Sequence, residues 1–344
     1  MFKAIYKNDA MKRAEHEAVR KTAGWYFYTH QLIEVTGADA AAFLDYAYPK
    51  NIGNLAVSRA RYTPMLNEQG IIRDDVVIFR MEENKFWIST LYARRSMAHL
   101  ETLKNGKDVA LADITSQYAM FAVQGPRSKD LINALVKNPV DEQKFFQILD
   151  NEICGEAVKI NRGGFTGEKL GYEIYIAADK RFWLEEKLAE AAKAFDAKQV
   201  TEFQVMVLTL PTENGYFLMC DLEQSNPYEI PGFDKGINFD KDFVGKQALV
   251  KVQQEGPAYK LIGFTVADED ANIASRDKTG EGAPVTDENG NIIGYVTKFT
   301  YGYTAEKSIG FARLEAAYAV AGNTVHIADC ANPADAVLCD VHVL

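Results

Sequence analysis

The chain has 344 residues, 47% hydrophobic and 25% charged, the make-up of a folded protein of two or three packed units that needs no disulfide staples. Its 48 acidic against 38 basic residues give a formal net charge of −10, which argues against the concentrated basic face of a nucleic-acid binder. No apolar run reaches the ~20 residues of a membrane span, the opening MFKAIYKNDAMKRAEHEAVRK is too polar for a signal peptide, and Cys154, Cys220, Cys330 and Cys339 lie scattered without a CxxC pair, so a cytoplasmic protein is expected.

Residues 9–23 combine helix formers with many charges and predict a helix lying against the surface. QLIEVTG (31–37) alternates apolar and polar residues up to a glycine and predicts a strand. ADAAAFLDYAY (38–48) follows as a short helix, with Asp39 placed to cap its first turn. DDVVIFRMEENKFWIST (74–90) predicts a hairpin around Glu82-Glu83-Asn84, and RRSMAHLETLKN (94–105) an amphipathic helix. YAMFAVQGP (118–126) reads as a strand ending in a turn, with SKDLINALVKN (128–138) the helix after it. VKINRGGFTGEKLGYEIYIA (158–177) is a second hairpin, and RFWLEEKLAEAAKAF (181–195) a second long helix. The order recurs without sequence identity, which predicts two related α+β units folded together. From about residue 258 short β-rich runs alternate with turn signals such as DENGNIIG and AGNT, as in a small antiparallel barrel or sandwich, with QQEGP (253–257) the boundary before it.

No Walker loop, GxGxxG, HExxH or GxSxG motif is present, and the five histidines are dispersed, so no metal site is expected. Chemistry then rests on carboxylates and an organic cofactor. Asp74 and Asp75 stand together at the start of an apolar run. In a strand they point to opposite faces, and the inward one is costly unless paired, as at functional sites. In a turn they would merely cap it, and the residues alone leave both readings open. The Gly-rich run Arg162-Gly163-Gly164-Phe165-Thr166-Gly167-Glu168 leads to Glu173, set between Tyr172 and Ile174. Glycines there permit close approach of backbone to backbone or to a flat ligand; a plain hairpin with solvated acids is the other reading.

In this order the segments resemble the aminomethyltransferase (glycine-cleavage T-protein) superfamily, which binds tetrahydrofolate. The likeness runs over nearly the whole chain: AGWYFYTHQLIEVTGADAAAFL, YTPMLNEQGIIRDDVVI, VQGP, RGGFTGEKLGYEI, NPYEIPGFDKGINFDKDFVGKQAL and PVTDENGNIIGYVTKFTYGYTAEKSIGFARL. The resemblance implies an α+β fold: a three-domain ring of two interlocked α+β domains (residues 1–250, their mutual boundary not legible) and a C-terminal antiparallel β-barrel (258–344) around a central folate funnel. Carried over by position, Asp75 matches the carboxylate near the reactive folate nitrogens, and Met65 falls on the loop before it. Trp87 and Phe165 match aromatic residues lining the folate, and Glu173 matches the acid that takes the pterin's paired N–H donors.

Departures from the family pattern bear on function. The family's Leu-Arg-Leu-Glu-Ala-Gly run and the arginine before it read here as Val207-Leu208-Thr209-Leu210-Pro211-Thr212-Glu213-Asn214-Gly215, without either arginine, and Lys235 stands where a tryptophan is usual. The Phe-Asp-x-Ser-His opening reads Tyr26-Phe27-Tyr28-Thr29-His30, its acid replaced by an aromatic residue. The segment that precedes this opening in true T-proteins and the Lys-Gly-Cys-Tyr-x-Gly-Gln-Glu signature of the related iron–sulfur assembly proteins have no counterpart. These departures point to a tetrahydrofolate-dependent demethylase moving a methyl group from a small O-, S- or N-methyl substrate to folate N5. The alternative is aminomethyl transfer with the lipoyl arm of an H-protein, and a third reading is a folate-binding module without turnover. His30 is the candidate proton donor to a poor leaving group, with a hydrogen bond at a domain seam as its structural alternative.

Overall fold

The computed structural model describes residues 5–28, 30–277, 280–329 and 333–344. In chain order its strands are β1 (Gly24–Tyr28), β2 (Gln31–Thr36), β3 (Arg59–Leu66), β4 (Ile72–Glu82), β5 (Lys85–Thr90), β6 (Ala110–Asp113), β7 (Tyr118–Gln124), β8 (Ile148–Ile153), β9 (Glu156–Arg162), β10 (Gly171–Ala177) and β11 (Lys198–Gln199). The C-terminal part adds β12 (Tyr259–Val266), β13 (Pro284–Thr286), β14 (Ile292–Gly302), β15 (Lys307–Glu315), β16 (Thr324–Ile327) and β17 (Ala334–Cys339).

These strands make three sheets: a five-stranded antiparallel one in the order β3-β4-β5-β2-β6, a six-stranded one in the order β11-β1-β7-β10-β9-β8, and a closed antiparallel barrel β12-β15-β14-β13-β16-β17. The fold is therefore two mixed α/β units and a barrel, as the sequence leads one to expect. Consecutive strands β1 and β2 belong to different sheets, so the chain crosses between the units within three residues of Tyr28. This crossing is why no boundary between the units is legible in the sequence.

Each mixed sheet packs helices on its outer face. Helices Ala40–Ala47 and Ala93–Leu103 cover the five-stranded sheet through Phe43, Leu44 and Leu100 against Val76, Ile78 and Ile88. Helix Arg181–Ala192 covers the six-stranded sheet through Leu184 and Leu188 against Phe121, Ile160 and Ile174. The two inner faces meet in a common layer containing Phe79, Trp87, Met120, Ala122 and Tyr175, joined by Val205–Leu210 and by Tyr301 and Tyr303 of the barrel. A typical buried side chain in this layer contributes about 1.5–3 kcal/mol.

Three local expectations are corrected. Asp39 precedes its helix but its side chain does not cap it, because its Oδ2 accepts the backbone N–H of Asp108 at 2.8 Å. The helix expected over 128–138 stops at Asn133, whose Oδ1 accepts the N–H of Val140. The charged first helix, Ala10–Lys21, does expose one face, with Met11 and Ala14, but its other face is sunk in the protein, with His16 and Val19 fully buried. Its charges are paired internally. Glu15 accepts the N–H groups of Thr201 and Glu202, and Arg20 donates to Leu210 O at 3.0 Å, to Glu213 Oε2 at 2.9 Å and to Glu168. Glu213, also fully buried, receives His16 Nε2 at 3.1 Å and, on Oε1, the N–H groups of Thr304 and Ala305 at 2.7 and 3.1 Å. One carboxylate thus ties the first helix, the Gly-rich loop and the barrel together.

Candidate active site

Alternation along the strands assembles the site. On β4, Val77 and Phe79 face the layer shared by the two sheets, while Val76 and Ile78 face the outer helices. Asp75 shares the first face and Asp74 the second. Both aspartates lie in the strand, which resolves the choice between strand and turn.

Asp74 is fully buried and satisfied: its Oδ2 accepts Thr90 Oγ1 at 2.6 Å and Ser96 Oγ at 2.5 Å, and its Oδ1 accepts the N–H of Asp75 at 2.9 Å. Burial raises its pKa, and the two hydroxyls oppose the rise. Asp75 is half-buried and has one side-chain donor, the Tyr62 hydroxyl at 2.8 Å from Oδ2. Burial, reinforced by the charge of Asp74, pushes Asp75 up to about 7, with the Tyr62 bond pulling the other way. A carboxyl poised near neutrality suits proton transfer.

Glu173 comes from the central strand of the other sheet. Its Oε2 accepts Asn161 Nδ2 at 2.9 Å and the Tyr175 hydroxyl at 3.0 Å, and burial raises its pKa against those two donors. Ser89 of β5, whose hydroxyl is in contact with His30 Nδ1, opposes the burial-driven rise in the pKa of Tyr175. Polar groups of both sheets, His30 and Ser89 on one side and Tyr175, Glu173 and Asn161 on the other, therefore face one another. Tyr28 senses both acids: after burial, the charges of Asp75 and Glu173 both raise its pKa. Its ring meets Phe165 at 4.4 Å and His30 at 5.0 Å between centroids.

The structure sets His30 and Phe165 against Tyr28, with Asp75 and Glu173 bordering the same layer. Trp87 lies within that layer against Tyr175, and Met65 lies on the other face of its sheet. Met65 is not on a loop but in β3 opposite Asp74, so it points with Asp74 into the helix-covered core. Trp87 is 1% exposed, packs on Tyr118 and Tyr175, and donates Nε1 to Glu34 at 3.2 Å. His30 fits poorly as an imidazolium donor, because burial lowers its pKa to about 4 and leaves it neutral at pH 7. A cavity of about 400 Å³ lies elsewhere, lined by Gln224, Tyr259, Arg276, Tyr295 and Arg313, and shares no residue with this cluster.

Glycines shape the loop that carries Phe165. A Cβ on Gly164 or on Gly171 would run into the Gln124 carboxamide, whose Oε1 accepts Thr166 Oγ1 at 3.1 Å. Gln124 of VQGP thus clamps the RGGFTG loop, a pairing that neither segment signals alone. Tyr62, Ser89, Tyr92, Asn161 and Tyr175 were also not singled out from the sequence, though Tyr175 stands two residues beyond Glu173 and so shares its face.

Comparison with known proteins gives a consistent picture. Residues 3–230 match the GCVT N-terminal domain, and residues 260–342 match the glycine cleavage T-protein C-terminal barrel domain. The chain is 32% identical over 321 residues to an aminomethyltransferase of Thermoanaerobacter sp. (strain X514), covering 91% of this chain and 84% of that one. The crystal structure of glycine cleavage system aminomethyltransferase T from Bartonella henselae superposes with a TM-score of 0.85 at 24% identity, covering 97% of this chain and 89% of its own.

Proposed function

The chain belongs to the glycine-cleavage T-protein family, and on that premise we propose that it is a tetrahydrofolate-dependent one-carbon transferase of the aminomethyl-transferring type. The observation that carries this reading is that Asp75, on the β4 face of Val77 and Phe79, and Glu173, bonded to Tyr175, both border the aromatic layer that the two sheets share. The relative's name, aminomethyltransferase, favours aminomethyl transfer over the demethylation expected from the sequence departures.

The residues present suit a pterin. Asn161 gives its Nδ2 to Glu173 while its Oδ1 is buried without a hydrogen-bond partner. An orphaned acceptor beside a carboxylate suits a ligand edge rich in N–H donors. Tetrahydrofolate, when bound, would supply the nitrogen nucleophile that takes up the one-carbon unit. Glu173 would orient it, Asn161 would take a further N–H, and Asp75 would hold or release the proton at its carboxylate near neutral pH. Tyr28 and Phe165 touch each other, so a flat ligand packs on their outer faces or displaces Phe165.

A second reading, methyl transfer, is supported by Tyr26-Phe27-Tyr28-Thr29-His30, whose aromatic residues stand where the family has an acid. One experiment separates the two. The protein is incubated with tetrahydrofolate and either an aminomethylated lipoyl H-protein or a panel of methoxyarenes, sulfonium compounds and methylamines. Mass spectrometry then identifies the folate product. 5,10-Methylene tetrahydrofolate supports aminomethyl transfer, 5-methyl tetrahydrofolate supports demethylation, and neither product with intact folate binding would leave a binding module.

A further inference from the structure

Lys50 approaches the face of the tyrosine that holds Asp75. Its Nζ lies 5.9 Å from the centroid of the Tyr62 ring, and the Tyr62 hydroxyl is 2.8 Å from Asp75 Oδ2. Backbone contacts fix this approach. Lys50 pairs with Ile237 in an isolated antiparallel bridge. On either side of it, Pro49 O accepts the N–H of Asn238 at 3.0 Å and Asn51 Oδ1 accepts Asn238 Nδ2 at 2.6 Å. The ring is fixed as well, because the buried Phe233 meets it edge to face at 5.7 Å between centroids.

What sets Lys50 apart is the lack of an acceptor for its charge. Other sheltered lysines are engaged: Lys12 by Asp9 at 2.5 Å, Lys241 by Tyr48 O at 2.6 Å and Lys298 by Asp221 at 3.0 Å. Lys50 is half-buried, and among the described residues its Nζ has the Tyr62 ring but no hydrogen bond and no ion pair. Burial and the charge of Arg61 oppose its ammonium form, while Asp234 supports it. A sheltered cation without an anion is unfavourable, and the face of an aromatic ring compensates in part. The ring responds in turn. A cation at its face draws electron density from the phenol, and a polarised phenol is a stronger O–H donor. Asp75 is the acceptor of that donor, and burial and the charge of Asp74 both disfavour its ionised form.

We propose that Lys50 is a positioning residue for the proton at Asp75: its ammonium polarises Tyr62, and the phenol hands that polarisation on to the Asp75 carboxylate as a stronger hydrogen bond. The use of this proton in turnover rests on the transferase reading above. Lys50 acts through Tyr62 and needs no contact with a substrate, so it governs when Asp75 ionises rather than what is bound. The other groups that sense or set the same charge are Asp74, Arg95, Tyr28 and Tyr92 around Asp75, Tyr216 beside Tyr62, and Arg61 and Asp234 beside Lys50. All of them stay in place in the variants that test the proposal.

The test is a carboxyl-detected NMR titration of the full-length protein, labelled at aspartate with carbon-13, between about pH 5 and pH 9. The Asp75 signal is identified by its loss in Asp75→Asn. Lys50→Met, Lys50→Gln, Lys50→Arg, Tyr62→Phe and the double variant Lys50→Met with Tyr62→Phe are compared with wild type. Both neutral variants should move the Asp75 midpoint upward by roughly half a pH unit, and Lys50→Arg should leave it near the wild-type value. In the Tyr62→Phe background Lys50→Met should add no further rise. The proposal is overturned if the midpoint stays put in whichever neutral variant folds. An equal rise with and without the Tyr62 hydroxyl also overturns it, since Lys50 then acts as a charge through space. A rise in Lys50→Arg as large as in Lys50→Met would trace the effect to lost packing and overturn it too. The pH dependence of kcat/KM should follow the NMR midpoint in each variant that turns over. Absence of tetrahydrofolate binding and turnover in wild type would sink the transferase reading instead, and the substrate-free titration still decides the role of Lys50.

Discussion

Tyr62 holds Asp75 by a single hydrogen bond of 2.8 Å from its hydroxyl to Oδ2, across the β3–β4 ladder. The donor is a neutral phenol, so it steadies the carboxylate without the strong depression that a cation would impose. Tyr62→Phe removes this bond and leaves the packing of the ring on Phe233. The charged form of Asp75 loses support, and its pKa should rise from about 7 by roughly one unit. The pH at which kcat/KM reaches half its maximum should move up by the same amount, with little change in the plateau. An unmoved profile would show that Asp75 is not the titrating group.

Asp75→Asn keeps the shape and the Tyr62 contact while removing the charge. Turnover should fall by ~10²–10⁴, the range for a positioned acid or base, with tetrahydrofolate affinity little altered. Stability should change in the opposite sense. Because the folded-state pKa is raised from 3.8 to about 7, the folded form holds its proton through that interval, and stability falls as pH rises from about 4 to about 7. Asp75→Asn should flatten this dependence and make the protein more stable at pH 8 by about 1–2 kcal/mol, well below the full shift because the group is half-buried. Urea midpoints at pH 5 and pH 8 check it. A variant less stable at pH 8 would contradict the raised pKa.

The fold was legible because hydrophobic alternation and turn residues are local signals, and the strands around Asp75 and Glu173 carry both. What escaped was long-range. Glu15, His16 and Arg20 read as a solvated helical face, because nothing within the helix announces Thr201, Glu213 or Thr304, each over 180 residues away. Met65 was placed in a loop by its position in the family resemblance, not by a signal of its own residues. Pro64 beside it sits in β3 as well, on an edge strand where its missing donor is tolerated. Position alone cannot reveal a change of environment, so His30 was read with an ordinary histidine's chemistry, which its burial removes.

Glu173 should govern ligand binding more than turnover. Glu173→Ala is expected to weaken tetrahydrofolate by about 1.5–3 kcal/mol, the value of a hydrogen bond to a charged group. Asn161→Ala should act in the same direction but less, since it also frees Glu173 from one of its two donors. Tyr175→Phe removes the other donor to Glu173 while leaving Asn161 in place, so it separates the loss of a donor to the acid from the loss of the Asn161 acceptor. Fluorescence titration of the four proteins orders the effects. Equal affinity in wild type and Glu173→Ala would remove the hairpin from the binding site.

The last prediction concerns the buried carboxylate that joins the three parts of the molecule. Burial alone would raise the pKa of Glu213, but the hydrogen bonds and charges of His16 and Arg20 outweigh it and hold the carboxyl down to about 2. A depressed carboxylate stabilises the fold above its unfolded pKa and loses that contribution as pH falls through the folded one. Between pH 4.5 and about 2, therefore, the protein should lose about 3 kcal/mol through Glu213 alone. Glu213→Gln should be less stable than wild type at pH 7 by about 2–4 kcal/mol, somewhat under the usual figure for a broken buried pair because Arg20 keeps Glu168. The gap should narrow as the pH is lowered toward 2, where the wild-type carboxyl protonates as well. Arg20→Met should instead leave Glu213 with His16 and the two barrel N–H groups, a smaller loss, but it frees the Gly-rich loop at Glu168 and so should weaken tetrahydrofolate where Glu213→Gln does not. Urea unfolding at pH 7 and pH 3, paired with folate titration, measures both effects. If the Glu213→Gln deficit is the same size at both pH values, the carboxylate is not the ionised hub described here.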